Sequence, residues 1–267
     1  MAQLSVERRG AVAVCTITNP PMGYMDRETV PELDALTREL EADDSVRAVV
    51  FTGGVPGVFV RHYSVDELED LSIQLRQAGV KVDTAQPLPE RDLDHVFRRI
   101  ETMGKPVIAA LNGTAMGGGF ELSLACDIRI AEAGDYAFGL PEINLGILPG
   151  AGGTQKLSRL IGTARTLEMT LRGRTASPEE ALALGMVHEL MPAGGALPRA
   201  IAIADEIASK PATAVAHIKR LVRSAIATPL DEGLAMERTL FLDLLVSDEA
   251  LALMHRMNED KRDIRDI

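Results

Sequence analysis

The chain opens on alternation. Residues 3–8 and 11–18 read as two short strands joined at Gly10, the second alternating through Val12, Val14 and Thr16 until Asn19-Pro20-Pro21 stops it. From Arg27 to about Leu40 the pattern changes to a helical spacing, with Val30, Leu33, Leu36 and Leu40 on one face. Val46–Phe51 is a compact apolar strand closed by Thr52-Gly53-Gly54, which completes a strand–helix–strand unit of an α/β chain. Ser64 and Glu67 have the spacing of a capping box, so a helix is expected to start there. The Pro-containing stretch 78–89 reads as a mobile surface connector. A helix over roughly 90–103, the strand Pro106–Leu111, a turn at Asn112-Gly113 and a strand at Asp127–Ile130 follow.

The second half turns helical. Helices are predicted near 153–161 and 163–171. Ser177-Pro178-Glu179-Glu180 places cap, first-turn proline and acidic third residue in order, and starts a short helix ending at Gly185. Met186–Met191 reads as a last short strand, stopped by Pro192. From about 197 onward the pattern is helix throughout. It includes the apolar stripe Val215, Ile218, Leu221, Val222, Ala225 and Ile226, a helix from Pro229 through Leu245, another over Asp248–Met257, and a charged tail, Glu259–Ile267. No internal repeat is visible. The expectation is a strand-rich α/β front and an all-helical last third.

Composition narrows the function classes. A chain of 267 residues with 46% apolar residues can bury a real core, and with 3% aromatics and no Trp that core must be mostly aliphatic. A net charge of −11 lacks the basic footprint of general nucleic-acid binding, though it allows a small anionic ligand held by local cations. Cys15 and Cys126 sit in apolar contexts without CxxC spacing and read as buried reduced thiols. The start MAQLSVERRG carries neither a long apolar core nor a small-residue cleavage site, and no apolar run has membrane-spanning length; a soluble cytoplasmic protein is expected.

The candidate chemistry lies between Lys105 and Gln155, where two glycine clusters each stand beside a glutamate. Gly117-Gly118-Gly119 precedes Phe120-Glu121; Pro141-Glu142 precedes Pro149-Gly150-Ala151-Gly152-Gly153. Glycine lets backbone approach a ligand closely, and a helix starting there would aim free amides and a positive dipole end at it, the geometry of an oxyanion hole. On the glycines alone, a tight turn or close helix packing is the favoured reading. Glu121 stands in an otherwise small or apolar run, as either dipole compensation or a carboxyl with a raised pKa; Glu142 is similarly isolated. Two such carboxylates suggest a paired acid–base site.

The segments LNGTAMGGGFELSLACD and FGLPEINLGILPGAGGTQ resemble the core signature of the crotonase superfamily, the enoyl-CoA hydratase/isomerase family. NPPMGYMDRETVPEL, VRAVVFTGG, SPEEALALGMVHELMP and PLDEGLAMERTLF resemble further landmarks, so the resemblance covers nearly the whole chain. It implies an α/β fold: a crotonase-like spiral of ββα units over 1–195 carrying an acyl-CoA site, and an α-helical C-terminal trimerisation region over 196–267, in a trimer or dimer of trimers. It implies acyl-CoA thioester substrates and an oxyanion hole formed by the amides of Tyr63 and Gly118. Glu121 and Glu142 then hold a water between them, one assisting attack at C3 and the other delivering a proton at C2, and the Gly150 amide contacts that water. No cofactor beyond the coenzyme A of the substrate is implied, nor any metal, and the five histidines (62, 95, 188, 217, 255) form no ligand pattern; His188 and His217 read as surface residues. No nucleic-acid or membrane partner is expected.

The departures from the family pattern bear on substrate. Where an F-x-A-G-A-D pattern is common, this chain has Phe59-Val60-Arg61-His62-Tyr63-Ser64. Ser64 caps a helix about as well as Asp. Tyr63 can still offer its amide. His62 is either a titratable group near the acyl pocket or a solvated loop residue, and Arg61 meets either a coenzyme phosphate or the surface. Gly23-Tyr24 stand where Asn-Ala is frequent. A 2-enoyl-CoA hydratase requires both glutamates. A Δ3,Δ2-enoyl-CoA isomerase needs Glu142 alone. A thioester or C–C bond hydrolase would enlist His62, and a non-catalytic acyl-CoA-binding protein would have its pocket filled by Arg61–Tyr63. The two retained glutamates favour the hydratase.

Overall fold

In the computed structural model, which describes residues 2–261 and 263–266, the strands run in order β1 (Leu4–Arg9), β2 (Val12–Ile17), β3 (Ala48–Gly53), β4 (Gly57–Val60), β5 (Val107–Leu111), β6 (Gly113–Met116), β7 (Ile128–Glu132), β8 (Phe138–Gly139), β9 (Thr175–Ala176) and β10 (Glu189–Met191). The helices between and after them are α1 (Thr29–Ala42), α2 (Val65–Gln77), α3 (Asp92–Thr102), α4 (Gly118–Ala125), α5 (Gly153–Ile161), α6 (Thr163–Arg172), α7 (Pro178–Leu184), α8 (Ala196–Ala208), α9 (Ala212–Ser224), α10 (Leu230–Leu245) and α11 (Asp248–Asp260). Glu142–Leu145 forms a 3-10 turn.

Two sheets result, a six-stranded one ordered β1-β2-β3-β5-β7-β10 and a four-stranded one ordered β4-β6-β8-β9. Beyond the antiparallel β1–β2 hairpin the large sheet is parallel, and so are β4, β6 and β8 of the small one. Successive turns β3–β4, β5–β6 and β7–β8 each add one strand to each sheet, which is the expected spiral of ββα units. Asn112 manages the corner at which β5 leaves the large sheet. Its side chain accepts from the Gly53 N–H at 3.0 Å and donates to the Gly53 carbonyl at 2.8 Å, standing in for a strand neighbour. The expected Asn112-Gly113 turn is therefore a strand-to-strand corner, with β6 starting at Gly113.

The strand alternation divides the core between the two faces of the large sheet. Ala13, Cys15, Val49, Phe51, Val107 and Ala109 face the cluster that includes α1, α3 and α4; Val12, Val14, Ala48, Val50, Ile108 and Ala110 face α8. Strands buried on both sides read as continuous apolar runs, as β3 and β5 do. The α8 face is an alanine stripe, Ala196, Ala200 and Ala204, all fully buried. Cys15 and Cys126 are buried free thiols, which burial pushes up to about 12.

Several local expectations are refined. Ser64 caps α2 by accepting from the Glu67 N–H at 3.4 Å, but the Glu67 carboxylate does not return the bond. It accepts instead from Arg27 and from the Tyr63 hydroxyl, so the capping box is half formed. The connector 78–89 is exposed throughout. Residues 259 and 260 of the expected tail finish α11; residues 262 and 267 of it lie outside the described residues. His188 is exposed and accepts from the Arg129 backbone N–H, and His217 pairs with Asp243 at 2.9 Å. No helix among the described residues is long and apolar enough to cross a membrane.

Candidate active site

The parallel strands β4, β6 and β8 lie side by side, with Val60 opposite Ala115 and Met116 opposite Gly139. Their C-terminal ends therefore open on one crevice, the usual place for a ligand beside parallel strands. The chain leaving β4 carries Arg61, His62 and Tyr63. The chain leaving β6 carries Gly117–Gly119 and then Glu121 on α4. The chain leaving β8 carries Glu142. Residues far apart in sequence become neighbours because each follows the same position in its turn of the spiral.

The glycine triplet has a different physical reason at each position. Gly117 has φ +47°, disfavoured for other residues, and a Cβ there would stand 3.0 Å from Glu142 Oε1. A Cβ on Gly119 would fall 1.9 Å from the Val60 carbonyl, so α4 packs on β4 only with glycine there. Gly118 contributes its amide. As the first residue of α4 its N–H has no partner within the helix, and a Cβ on it would lie 3.5 Å from the Tyr63 nitrogen. Met25 donates to the His62 carbonyl at 2.9 Å and accepts from the Ser64 N–H at 2.7 Å. In this parallel bridge the Tyr63 N–H faces away from Met25. Among the described residues neither the Tyr63 nor the Gly118 amide donates a hydrogen bond.

The two glutamates sit in unlike surroundings. Glu121 is 2% exposed, within the entirely buried α4. Its Oε1 accepts from the Ala151 N–H and the Gly153 N–H, both at 2.8 Å. Burial raises its pKa, opposed by these two amides and by the cations Lys156 and Arg91. Glu142 lacks such support: its Oε2 is buried with no hydrogen-bond partner among the described residues. Burial, reinforced by the nearby Glu121 charge, pushes its carboxyl up to about 7 against the pull of its own backbone N–H. One carboxyl is thus held by donors and cations, and its neighbour is poised to keep a proton near neutrality, the separation of roles that acid–base pairs require.

The bulky 61–63 segment does not act as one block. Arg61 Nε donates to the Met22 carbonyl at 2.9 Å. The Tyr63 hydroxyl donates to Glu67 at 3.0 Å, drawing the ring toward α2; burial and the Glu67 carboxylate push the phenol up to about 12. His62 stays by the site: its Cβ would be 3.6 Å from a Cβ on Gly117, and its ring stacks on Tyr24 with centroids 4.6 Å apart. Its Nδ1 lies 2.7 Å from the Tyr63 carbonyl. A carbonyl only accepts, so Nδ1 carries the hydrogen. Gly150 lies beside the Glu121 anchor loop, and its carbonyl accepts from Arg91. Sequence reasoning missed Arg91, Lys156 and the amides of Ala151 and Gly153. The glycines of 150–153 signalled a backbone role, but nothing local signals which carboxylate those amides hold.

The chain is similar to known proteins over nearly its whole length. The sequence model described as enoyl-CoA hydratase/isomerase matches residues 7–263. The chain is 34% identical to the short-chain-enoyl-CoA hydratase of Clostridium acetobutylicum, over 96% of this chain and 95% of that one. It is 36% identical to a probable enoyl-CoA hydratase of Bacillus subtilis, over 90% and 89%. The crystal structure of an enoyl-CoA hydratase from Bacillus anthracis superposes with TM-score 0.87 at 31% identity, covering 98% of this chain and 97% of that one. By sequence and by fold alike, the chain belongs to the enoyl-CoA hydratase/isomerase family.

Proposed function

We propose that the protein hydrates 2-enoyl-CoA thioesters. The observation that carries this reading is the pairing of two carboxyls, the buried Glu121 held by two backbone amides and Glu142 with a buried oxygen unpartnered among the described residues, beside two unengaged amides at adjoining strand ends. The Tyr63 and Gly118 N–H groups take the thioester oxygen and stabilise the enolate that forms on it. The Glu121 carboxylate accepts a proton from water as the water oxygen bonds to C3, with the Gly150 amide steadying that water. The protonated Glu142 delivers its proton to C2. Transfer of the proton from Glu121 back to Glu142 restores the starting state, so the net change is addition of one water. Arg61 and His62 border the acyl and coenzyme side of this crevice and tune substrate choice.

Loss of the enoyl-thioester absorbance of crotonyl-CoA with wild type, and its persistence with Glu121→Ala and with Glu142→Ala, is the expected result. A flat trace with wild type, or full activity in either variant, overturns the reading. Self-association through 196–267 as a trimer or a dimer of trimers is supported by the exposed apolar side chains there, among them Val222, Leu230, Phe241 and Val246. Analytical ultracentrifugation checks it; a monomer at micromolar concentration refutes it.

A further inference from the structure

One cation reaches the buried Glu121 without touching it. Arg91, the residue that opens α3, donates to the Gly150 carbonyl. The same peptide group, Gly150–Ala151, donates its N–H to Glu121 Oε1 at 2.8 Å. Arg91 is itself fixed: Nε and Nη2 grip Asp94 at 2.9 Å each, and its backbone N–H donates to Asp94 at 2.9 Å. The far side of the loop is held by Lys156. Its nitrogen lies 5.3 Å from the Phe97 ring centroid and 3.3 Å from Glu101, and its Cε would touch a Cβ on Gly152 at 3.0 Å. Both clasps are built on α3, so this helix fixes the loop whose amides hold Glu121.

We propose that Arg91 is a positioning residue for the reaction, acting on Glu121 through the single peptide Gly150–Ala151, which it orients and polarises. A hydrogen bond on the carbonyl strengthens the bond made by the N–H of the same peptide, and a charged donor does so most. The groups facing Glu121 are Glu142 from the 3-10 turn, Lys156 from α5 and Arg91 from α3, with Asp94 and Glu101 offsetting the two cations. Among them Arg91 alone connects to Glu121 through a continuous hydrogen-bonded path. The catalytic consequence rests on the proposed reading of Glu121 as the base.

The test compares wild type with Arg91→Gln and Arg91→Lys. Two readouts are used: steady-state hydration of crotonyl-CoA across pH, and carboxyl 13C titration of glutamate-labelled protein, with Glu121 assigned from a Glu121→Gln spectrum. In Arg91→Gln the Glu121 titration is expected to move to higher pH, with kcat down about ten-fold, the size of one lost charged hydrogen bond, and KM within about two-fold. Arg91→Lys is expected to recover most of both. An unmoved Glu121 titration in Arg91→Gln overturns the relay whatever the turnover. A moved titration in a protein whose wild type hydrates nothing upholds the relay and overturns the proposed reaction instead.

Discussion

Glu142→Gln is expected to make the protein more stable in alkaline solution as it removes the activity. In the unfolded chain this carboxyl ionises at the ordinary 4.5; in the native protein burial and Glu121 move that to about 7. Between these values the unfolded chain has released a proton that the native chain still holds. Stability therefore falls as pH rises through the window, and the penalty is complete above it. For a fully desolvated group the separation is worth about 3 kcal/mol, and the remaining solvent contact at Glu142 reduces the expectation to about 2 kcal/mol. Glutamine keeps the shape and has no proton to lose. Thermal denaturation at pH 5 and pH 8 reads the difference: the gap between variant and wild type is expected to shift toward the variant by about 4–8 °C at the higher pH. Hydration is expected to fall at least about 100-fold. A gap that does not change between the two pH values refutes the assignment of a buried, proton-retaining Glu142.

Other expectations follow from the same geometry. The kcat/KM for hydration should decline as pH rises through about 7, where Glu142 loses the proton that the proposed mechanism has it deliver; a rise through that region refutes its role as acid. Gly119→Ala drives a Cβ to 1.9 Å from the Val60 carbonyl and should destabilise the fold by about 3 kcal/mol, measured by melting temperature and soluble yield. Gly117→Ala imposes a positive φ on alanine and crowds Glu142 Oε1, so kcat should drop sharply at a stability cost of only about 1 kcal/mol. Arg129→Met strips donors from the carbonyls of Ser123, Cys126 and Met186 and should cost about 3 kcal/mol, read in a denaturant series.

What the sequence reveals follows from how far each determinant acts along the chain. Helices α5, α6, α7 and α10 announce themselves through caps, prolines and apolar spacing within a few residues, and their predicted positions agree with the structure to within about two residues. Strands β4, β6, β8 and β9 are two to four residues long and carry glycine or threonine, too short for alternation to register. Their existence depends on pairing across the small sheet, which no local window contains. The site divides the same way. Glu121 and Glu142 are conspicuous as lone charges in apolar runs. Arg91 is not, because an arginine after an exposed connector looks like surface until the loop at Gly150 folds back 59 residues later. Likewise Arg61, His62 and Tyr63 are adjacent in sequence, yet Met22, Tyr24 and Glu67 draw them in three directions.

The placement of Tyr63, Gly118 and Glu142 at consecutive ends of β4, β6 and β8 gives the crevice a built-in ruler. Neighbouring strands are about 4.8 Å apart, so three strand ends measure out about 10 Å. In the proposed reaction the thioester oxygen is shared by the first two marks, and the donor of the C2 proton stands at the third. The graduations belong to the backbone ladder, not to any side chain. Exchanging what stands at one mark alters the chemistry performed there and leaves the distance to the other marks as the sheet set it.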